Sequence, residues 1–323
     1  MAYKVGNQTV VDDSANVYAW TGPFGQYSDV SANLQPFFYK RIYTRGFVCA
    51  GYRSAVPWAN VNETDHSTDT TWVVPSMERA GAYCCGNWSA VKGYMYATSN
   101  SFPGQTSHVV RYYMYTHTSD SWGDVMSNSR DDCGTFLWDD VRGYVYGGSG
   151  DSVDYHNFSS DSMTHLANGH DSSNHQNCNQ WGDDIKGYRA KGSEKITYST
   201  NSWGSYPSVV GANTHDKCMA TKMGYFYTEN ANNSTVSGNT YKYNVTTEST
   251  TTTGSFKSHN SGETNYQTGQ YHGYGLGDCG GGCQENTSWK SYFFTDSHVA
   301  GGGTMQPKGT PGRSSGHCLS RED

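Results

Sequence analysis

Three histidines and one cysteine lie within the stretch MTHLANGHDSSNHQNC and could bind a transition metal. They are His165, His170, His175 and Cys178. Imidazole and thiolate groups are the usual zinc and copper ligands, but five-residue steps fit no standard zinc-finger or helical spacing. The His-x-x-Cys pattern returns at His215 and Cys218, which marks it as a feature of a repeat. We therefore predict a hydrogen-bonded polar loop without a cofactor, with a metal site as the alternative.

The nine cysteines are a second set with possible redox chemistry. Cys84 and Cys85 are adjacent, which strains a direct disulfide, whereas three flexible glycines separate Cys279 from Cys283 and would allow a bridge. Four others occupy one repeated position, as a small apolar packing residue would: Cys133, Cys178, Cys218 and Cys318. The N-terminus resembles no secretory signal, and a reducing cytosol keeps thiols free. We therefore predict buried free thiols.

No other residue pattern points to catalysis. The sequence has no Ser-His-Asp order, paired-carboxylate motif, phosphate-binding loop or dinucleotide fingerprint. Asp-rich turns such as Asp12-Asp13 and Asp131-Asp132 match no calcium-loop pattern, and solvated turn residues explain them. We therefore predict that the protein is not an enzyme.

The amino-acid composition determines which elements could position any site. The 323 residues include only five Leu and three Ile, but 26 Tyr, 11 Phe and nine Trp. Such a chain cannot build the aliphatic face of helices, while its aromatic side chains bury large areas. Asn, Ser, Thr and Gly, which dominate the remainder, are typical of tight turns between short strands. The composition predicts an all-β fold with an aromatic core.

Charge and hydropathy exclude two classes of partner. The formal net charge is −7 and no basic stripe is present, so we expect no nucleic-acid partner. No apolar run approaches the roughly 18 residues that a membrane-spanning helix needs. We therefore expect no membrane partner.

Six repeats of a Gly-aromatic motif run through the chain, starting near residues 45, 92, 142, 186, 223 and 272. Their glycines are Gly46, Gly93, Gly143, Gly187, Gly224 and Gly273. Segments with alternating aromatic residues follow, broken by Ser, Thr and Asn, which is typical of short antiparallel strands. About 45 residues with three or four strands make one blade of a β-propeller. A β-sandwich or a solenoid of the same composition is the alternative.

The last segment, RSSGHCLSRED, predicts how the repeats are completed. It matches the cysteine-bearing stretch that precedes the Gly-aromatic motif in the other repeats, and the continuation that it lacks begins at Arg45. We therefore predict that residues 314–321 pair with the strand around residues 43–50 in one sheet. This pairing would protect an exposed sheet edge.

The repeats resemble the kelch motif, in which an apolar strand and Gly-Tyr-x-Tyr precede a Tyr and a Thr/Ser-x-Ser-Trp segment. The residues that match best are Gly147, Gly148, Tyr198, Trp122 and Trp203, and the likeness covers residues 45–323. It implies a six-bladed, kelch-like β-propeller. Like any fold-level likeness, it implies no particular activity.

The pair Tyr271-His272 resembles the copper-ligating Tyr-His pair of galactose oxidase, another kelch-type propeller. That chemistry also needs a second Tyr cross-linked to Cys and a second His, and no motif marks them here. The alternative to a binding protein is thus a secreted carbohydrate-active propeller enzyme of this type. We expect Tyr271 to belong to a strand core.

A second resemblance begins at the first residue. The opening MAYKVGNQTVVDDSANV is similar to that of structural proteins of phages that infect cyanobacteria, and residues 43–71, NSGETNYQTGQYHGYGLG and MQPKGTPGRSSGHC continue the likeness. These proteins are mostly virion structural or fibre-like. The resemblance implies a place in the virion, assembled in the host cytoplasm, and no catalytic residues.

Together these observations predict an N-terminal arm over residues 1–40 and a propeller over residues 41–323. The arm would bind other virion proteins, with multiple copies in a symmetric assembly, as a fibre, tail or capsid-decoration component. Loops rich in Tyr, Trp and Asn suit carbohydrate, because aromatic rings stack on sugars and amides bond their hydroxyls. We therefore expect host-surface polysaccharide as a ligand.

Overall fold

A computed structural model describes the parts of the chain from which the fold is derived. The described residues are 3–5, 8–11, 43–53, 56–81, 84–89, 92–100, 104–130, 133–137, 141–148, 152–166, 180–182, 185–189, 194–205, 219–220, 225–232, 235–244, 247–255, 265–268, 272–278, 285–292, 297–300 and 317–322. Within them every regular element is a β-strand and all pairing is antiparallel. The predicted all-β class is confirmed. The described residues include no apolar helix of the length needed to cross a bilayer.

Six four-stranded sheets account for most of these strands, and each has a simple up-and-down order. Sheet 1 comprises β3 (Tyr43–Arg53), β4 (Val56–Asp65), β5 (Thr70–Val74) and β26 (His317–Glu322). Sheet 2 comprises β6 (Cys85–Trp88), β7 (Lys92–Tyr96), β8 (His108–Tyr113) and β9 (Thr118–Asp124). Sheet 3 comprises β10 (Cys133–Leu137), β11 (Arg142–Gly147), β12 (Val153–Asn157) and β13 (Ser162–Leu166).

The second half of the chain repeats this order. Sheet 4 comprises β14 (Gln180–Gly182), β15 (Lys186–Arg189), β16 (Glu194–Thr197) and β17 (Ser202–Ser205). Sheet 5 comprises β18 (Met219–Ala220), β19 (Tyr225–Asn232), β20 (Thr235–Asn244) and β21 (Ser249–Ser255). Sheet 6 comprises β22 (Asn265–Thr268), β23 (His272–Asp278), β24 (Glu285–Tyr292) and β25 (Ser297–Ala300).

Sheet 1 takes its first strand from the far end of the sequence. Strand β26 pairs with β3, with His317 opposite Cys49 and Glu322 opposite Tyr43. The predicted pairing of the last segment with the strand around residues 43–50 is confirmed for residues 317–321. The remaining predicted residues, 314–316, lie outside the described residues. The pairing gives β3 a hydrogen-bonded neighbour on both edges, so its backbone does not present an open edge to other chains.

The predicted repeat corresponds to the sheets. The Gly-aromatic motifs fall in the second strand of their sheets, β3, β7, β11, β15 and β23, while Gly224 lies outside the described residues just before β19. Gly143 shows why the motif needs glycine: an added Cβ would lie 2.6 Å from Asn87 Nδ2 and 2.8 Å from the Phe158 ring. The side chain of Asn87 occupies that space and donates to the Tyr144 carbonyl. Glycine therefore allows sheets 2 and 3 to approach.

The core consists of layers between successive sheets. One cluster joins sheets 1 and 2 through Phe47, Val61, Met95 and Tyr112, all fully buried. The next joins sheets 2 and 3, and a third joins sheets 3 and 4. Aromatic stacking recurs between neighbours, with ring centroids 5.1 Å apart for Tyr94 and Phe158 and 5.4 Å for Tyr144 and Tyr198. Aromatic side chains contribute to all three layers, as predicted, but Val, Met and Cys supply most of the layer between sheets 1 and 2.

The first strands of the sheets also contact one another. Strand β26 contacts β6, β6 contacts β10, and β10 contacts β14. Further contacts join β14 to β18, β18 to β22, and β22 to β26.

The chain divides into two compact units, Met1–Lys40 and Arg41–Asp323. In the first unit the described strands are β1 (Tyr3–Val5) and β2 (Gln8–Val11), which form an antiparallel pair. All six four-stranded sheets belong to the second unit.

Candidate functional site

Five turns with the same backbone conformation join the third and fourth strands of sheets 1 to 5, and we call them the 3–4 turns. Each places the residue before the fourth strand at φ between 45° and 58°: Asp69, His117, Asp161, Asn201 and Glu248. The hydroxyls on either side of this residue hydrogen-bond to each other in every turn, as in Ser160 with Ser162 at 2.7 Å. Asp, Asn and His tolerate this left-handed conformation better than most residues.

Asp161 reaches from its 3–4 turn to sheet 2. Its carboxylate accepts hydrogen bonds from Tyr94 Oη at 2.6 Å, Lys92 Nζ at 2.9 Å and Arg111 Nη1 at 3.1 Å. Burial alone would raise the pKa of Asp161, but the hydrogen bonds from Tyr94 and Lys92 and the two positive charges outweigh it, so the pKa lies below its usual value. The ionised carboxylate therefore fastens sheet 3 to sheet 2.

Two further 3–4 turns contact the preceding sheet in the same way. Glu248 of sheet 5 accepts hydrogen bonds from Lys195 at 2.8 Å and Lys186 at 3.0 Å, both in sheet 4. Asn201 of sheet 4 accepts one at 2.7 Å from Tyr144 Oη of sheet 3. The lysine or tyrosine of the repeated basic-Gly-aromatic motif is thus paired with the turn of the next sheet.

The remaining two 3–4 turns complete the pattern. Asp69 of sheet 1 accepts a hydrogen bond at 2.7 Å from Lys290 of sheet 6. In sheet 2, His117 Nε2 lies 3.0 Å from Glu63 Oε2 of sheet 1. Each of the five turns therefore contacts one neighbouring sheet, and the contact of Asp69 joins the last sheet to the first.

A neutral histidine lies in the aromatic layer between sheets 2 and 3. His156 is fully buried, and its Nδ1 shares a hydrogen bond of 2.6 Å with Tyr96 Oη. Its ring meets those of Tyr94 and Phe158 edge-on, at centroid distances of 4.4 and 4.6 Å. Burial lowers the pKa of His156 to about 3, because the imidazolium would lose its hydration.

Because this imidazole is buried and neutral, we expect the free energy of unfolding to decrease steeply in mild acid. Between pH 6.5 and about 3 the unfolded chain binds a proton at His156 and the folded chain does not. The free energy of unfolding therefore decreases as the pH is lowered through this range. The slope is roughly 1.4 kcal/mol per pH unit for one group. We expect His156→Gln to remove a slope of this size, measured by urea unfolding at pH 7, 6, 5 and 4. Identical slopes for the two proteins would contradict the assignment.

A buried ion pair lies in sheet 3 and the segment before it. Arg130 Nη2 donates to Asp154 Oδ2 at 2.6 Å, and neither side chain exposes more than 1% of its surface. Arg130 Nη1 also donates to the carbonyls of Ser152 at 2.7 Å and Gly147 at 3.2 Å. Burial lowers the pKa of the Arg130 guanidinium, and the charge and hydrogen bond of Asp154 oppose this effect.

The predicted metal-ligand segment is only partly described. His165 lies in β13, and its Nδ1 is 3.6 Å from Asp154 Oδ1. His170, His175 and Cys178 lie outside the described residues, so the polar loop stays a prediction and the metal site its alternative. Within the described ranges, no three His, Cys, Asp or Glu side chains form a ligand cluster.

Several other candidates from the sequence lie outside the described residues as well. They are Tyr271, Cys279, Cys283 and the Asp-rich turns at residues 12–13 and 131–132. His272 begins β23, but nothing shown about it bears on copper ligation.

The prediction of free thiols is wrong for two cysteines. Cys85 and Cys133 form a disulfide, with 5.7 Å between their Cα atoms. They are the first residues of β6 and β10, and these first strands of neighbouring sheets contact each other, which brings the two thiols into bonding range. Cys49 and Cys84 are buried and form no disulfide, as predicted.

Sheet 2 contains a hydroxyl, an imidazole and a carboxylate in one hydrogen-bonded row. Ser121 Oγ lies 2.8 Å from His108 Nε2, and His108 Nδ1 lies 3.1 Å from Asp124 Oδ1. No motif in the sequence marks this set, whose members follow one another along the chain in the order His, Ser, Asp. Only the pairing of β8 with β9 brings them together.

Four exposed large hydrophobic side chains lie at the ends of the sheets that carry the 3–4 turns. Tyr115 and Tyr292 lie beside third-to-fourth-strand connections, and Val141 and Ile185 precede second strands at the same ends. All four are exposed, from 38% for Tyr292 to 62% for Ile185. They lie among the Thr and Ser hydroxyls of the 3–4 turns, a combination suited to a ligand with alternating apolar and hydroxylated surfaces.

Comparison with known proteins adds no relative. No protein-family model matches the chain, and no curated protein matches it.

Proposed function

We propose that the six sheets are the blades of a six-bladed, kelch-like β-propeller. The repeated strand order, the pairing of β26 with β3 and the series of first-strand contacts from β26 back to β26 support this arrangement. The hydrogen bond between Lys290 and Asp69 supports a neighbouring position for sheets 6 and 1. Gly147 and Gly148, at φ of 71° and 84°, occupy the double-glycine position of the kelch motif in a conformation that favours glycine.

The protein acts, on this proposal, as a structural component of a phage virion. The support is the likeness of its opening and later segments to virion proteins of phages infecting cyanobacteria. The unit Met1–Lys40 is the anchoring arm that contacts other virion proteins, and the blades present a surface outward in several symmetric copies. Fibre, tail and capsid decoration are the positions that fit this role.

The support for a binding role is the end of the sheets with the 3–4 turns, where exposed apolar side chains lie near hydroxyl groups. Tyr115 and Tyr292 are exposed there, and the hydroxyls of Thr116 and Thr118, which follow Tyr115, hydrogen-bond to each other. Lys290 Nζ lies 5.1 Å from the centre of the Tyr292 ring. A sugar ring stacks its apolar face on an aromatic side chain while hydroxyls bond its edge. Host-surface polysaccharide is therefore the proposed ligand, and cleavage of its glycosidic bonds is not part of the function.

Retention of the protein on immobilised host envelope polysaccharide tests this function. We expect retention without release of oligosaccharide, and about tenfold weaker binding for the double variant Tyr115→Ser, Tyr292→Ser, since burying one aromatic ring contributes on the order of 1.4 kcal/mol or more. The matched control is Val73→Ser, Val299→Ser, which removes two side chains of similar exposure from fourth strands.

The other outcomes separate the alternatives. Release of oligosaccharide would favour the carbohydrate-active enzyme, and no retention of the native protein would leave a purely structural role. Equal loss in both double variants would contradict binding through the two tyrosines.

A further inference from the structure

The row formed by Ser121, His108 and Asp124 has the bonding order of a nucleophile, its base and a group that orients the base. The Nδ1 proton of His108 can be donated to Asp124, 3.1 Å away, which leaves Nε2 unprotonated and able to accept the proton of Ser121 Oγ at 2.8 Å. The His108 ring is nearly buried, whereas Ser121 is exposed. The base is therefore held in place while the hydroxyl faces solvent.

A β-bulge produces this arrangement. His108 pairs directly with Asp124, but the register between β8 and β9 shifts, so Val110 lies opposite Ser121 and Trp122 is the extra residue. Without the shift, the alternation of side chains would place Trp122 on the face of His108 and Ser121 on the opposite face. Gly123, at φ of 101°, allows the bend. Bulges often re-aim side chains at functional sites.

The same shift packs the partly buried Trp122 against the core. Its ring packs 5.0 Å from that of His156 and 6.2 Å from that of Tyr94, in the layer between sheets 2 and 3. The tryptophan thus fixes β9 against sheet 3, and the serine is left on the face towards sheet 1. Ser119, on that same face, accepts a hydrogen bond at 2.6 Å from the Glu78 amide that follows sheet 1.

We propose that Ser121 is a nucleophile for acyl esters, with His108 as its general base and Asp124 as the positioning residue. Ser121 Oγ bonds to the ester carbonyl carbon while its proton passes to His108 Nε2. The carbon–alkoxide bond then breaks, and the alcohol leaves with the proton from His108. Water, deprotonated by His108, next attacks the acyl carbon. The bond from this carbon to Ser121 Oγ breaks, Oγ takes the proton back from His108, and the carboxylic acid leaves, so one ester and one water give one acid and one alcohol.

The openness of the site defines its substrate class. The side chain of Asp124 is 70% exposed, so the row lies at the surface and not in a closed cavity. An ester on an extended ligand can reach such a serine, whereas a small free ester gains little binding there. Catalysis in a wet site is weak, because water screens the charges that stabilise a transition state. We therefore expect slow turnover of activated esters, and this inference does not depend on the proposed role in the virion.

A fluorophosphonate probe tests the nucleophile directly, since Oγ–P bond formation expels fluoride and puts the proton on His108. We expect mass spectrometry to find one adduct, on Ser121, and none in Ser121→Ala. Ser205→Ala is the matched control, because Ser205 is an exposed serine on the fourth strand of sheet 4, opposite Glu194. It should label like the native protein.

The base and the positioning residue have separate readouts. His108→Gln should lower the labelling rate at least 100-fold, the contribution of a general base. Asp124→Asn changes an exposed side chain and should keep the fold, slow labelling, and shift the ¹⁵N resonances of His108 towards the other tautomer. A labelling rate that is unchanged in a folded Asp124→Asn or His108→Gln protein, or no adduct on Ser121, would overturn the proposal.

Discussion

Replacing Asp154 with alanine should lower the unfolding free energy by about 3 to 5 kcal/mol, which for many domains means loss of the folded state. The reason is Arg130, whose side chain is almost wholly buried and whose only described carboxylate partner is Asp154. Without the Asp154 carboxylate, the buried guanidinium still donates to two backbone carbonyls, but its positive charge has no described anionic partner. Urea unfolding at pH 7 measures the effect.

The matched control is Asp120→Ala. Asp120 also pairs with an arginine, accepting hydrogen bonds from Arg111 at 2.7 and 2.8 Å, but its side chain is 43% exposed. An exposed ion pair of this kind contributes about 1 kcal/mol or less. If the Asp154 and Asp120 variants lose similar amounts of unfolding free energy, burial of the Arg130–Asp154 pair does not explain the loss.

Deleting residues 317–323 should have the second large effect. The deletion removes β26 and leaves β3 with an unpaired edge along the residues from Tyr43 to Cys49. Exposed edges of this kind pair with other chains. We expect soluble aggregates in size-exclusion chromatography and loss of a single cooperative thermal transition.

A synthetic peptide of residues 310–323 provides the control for this deletion. Added in excess to the truncated chain, it can restore the pairing with β3, and it should recover the monomer and the cooperative transition. The same peptide with Ser320→Pro places a rigid proline opposite Gly46, within the paired strand, and should not restore them. A truncated protein that stays monomeric with an unchanged Tm would contradict a structural role for β26.

The strands could be predicted from the sequence because their signal is local. Alternating aromatic residues and the Gly-aromatic motif give the second strand of each sheet, as in Lys92–Tyr96 and Arg142–Gly147. The cysteine segment at the end predicted the pairing of β26, because its likeness to the other repeats gave it a place in a sheet that was otherwise incomplete.

The contacts between sheets could not be predicted in the same way. Asp161 bonds to Tyr94, 67 residues away, and only the stacking of two sheets brings them together. A signal does exist in the sequence. The residue directly before the fourth strand is polar and has a hydroxyl residue on each side, as in Ser160-Asp161-Ser162. It is visible only once the ends of the strands are known.

The disulfide and the Ser121 row show two further limits. Repeat equivalence indicated that Cys133 packs like a small apolar residue, but it could not tell that Cys85, in the first strand of the neighbouring sheet, lies within bonding distance. The row depends on a one-residue register shift between β8 and β9, which no pattern in the sequence marks.

Carbodiimide cross-linking with mass spectrometry tests most directly whether the sheets form a ring in which sheet 6 adjoins sheet 1. Carbodiimide joins a lysine to a carboxylate in direct contact. The pairs Lys92–Asp161 and Lys195–Glu248, at 2.9 and 2.8 Å, join sheets that are consecutive in sequence and serve as internal standards. We expect a Lys290–Asp69 cross-link of comparable yield, across 221 residues of sequence. If a monomeric sample gives both standard cross-links but no Lys290–Asp69 product, the ring arrangement is contradicted.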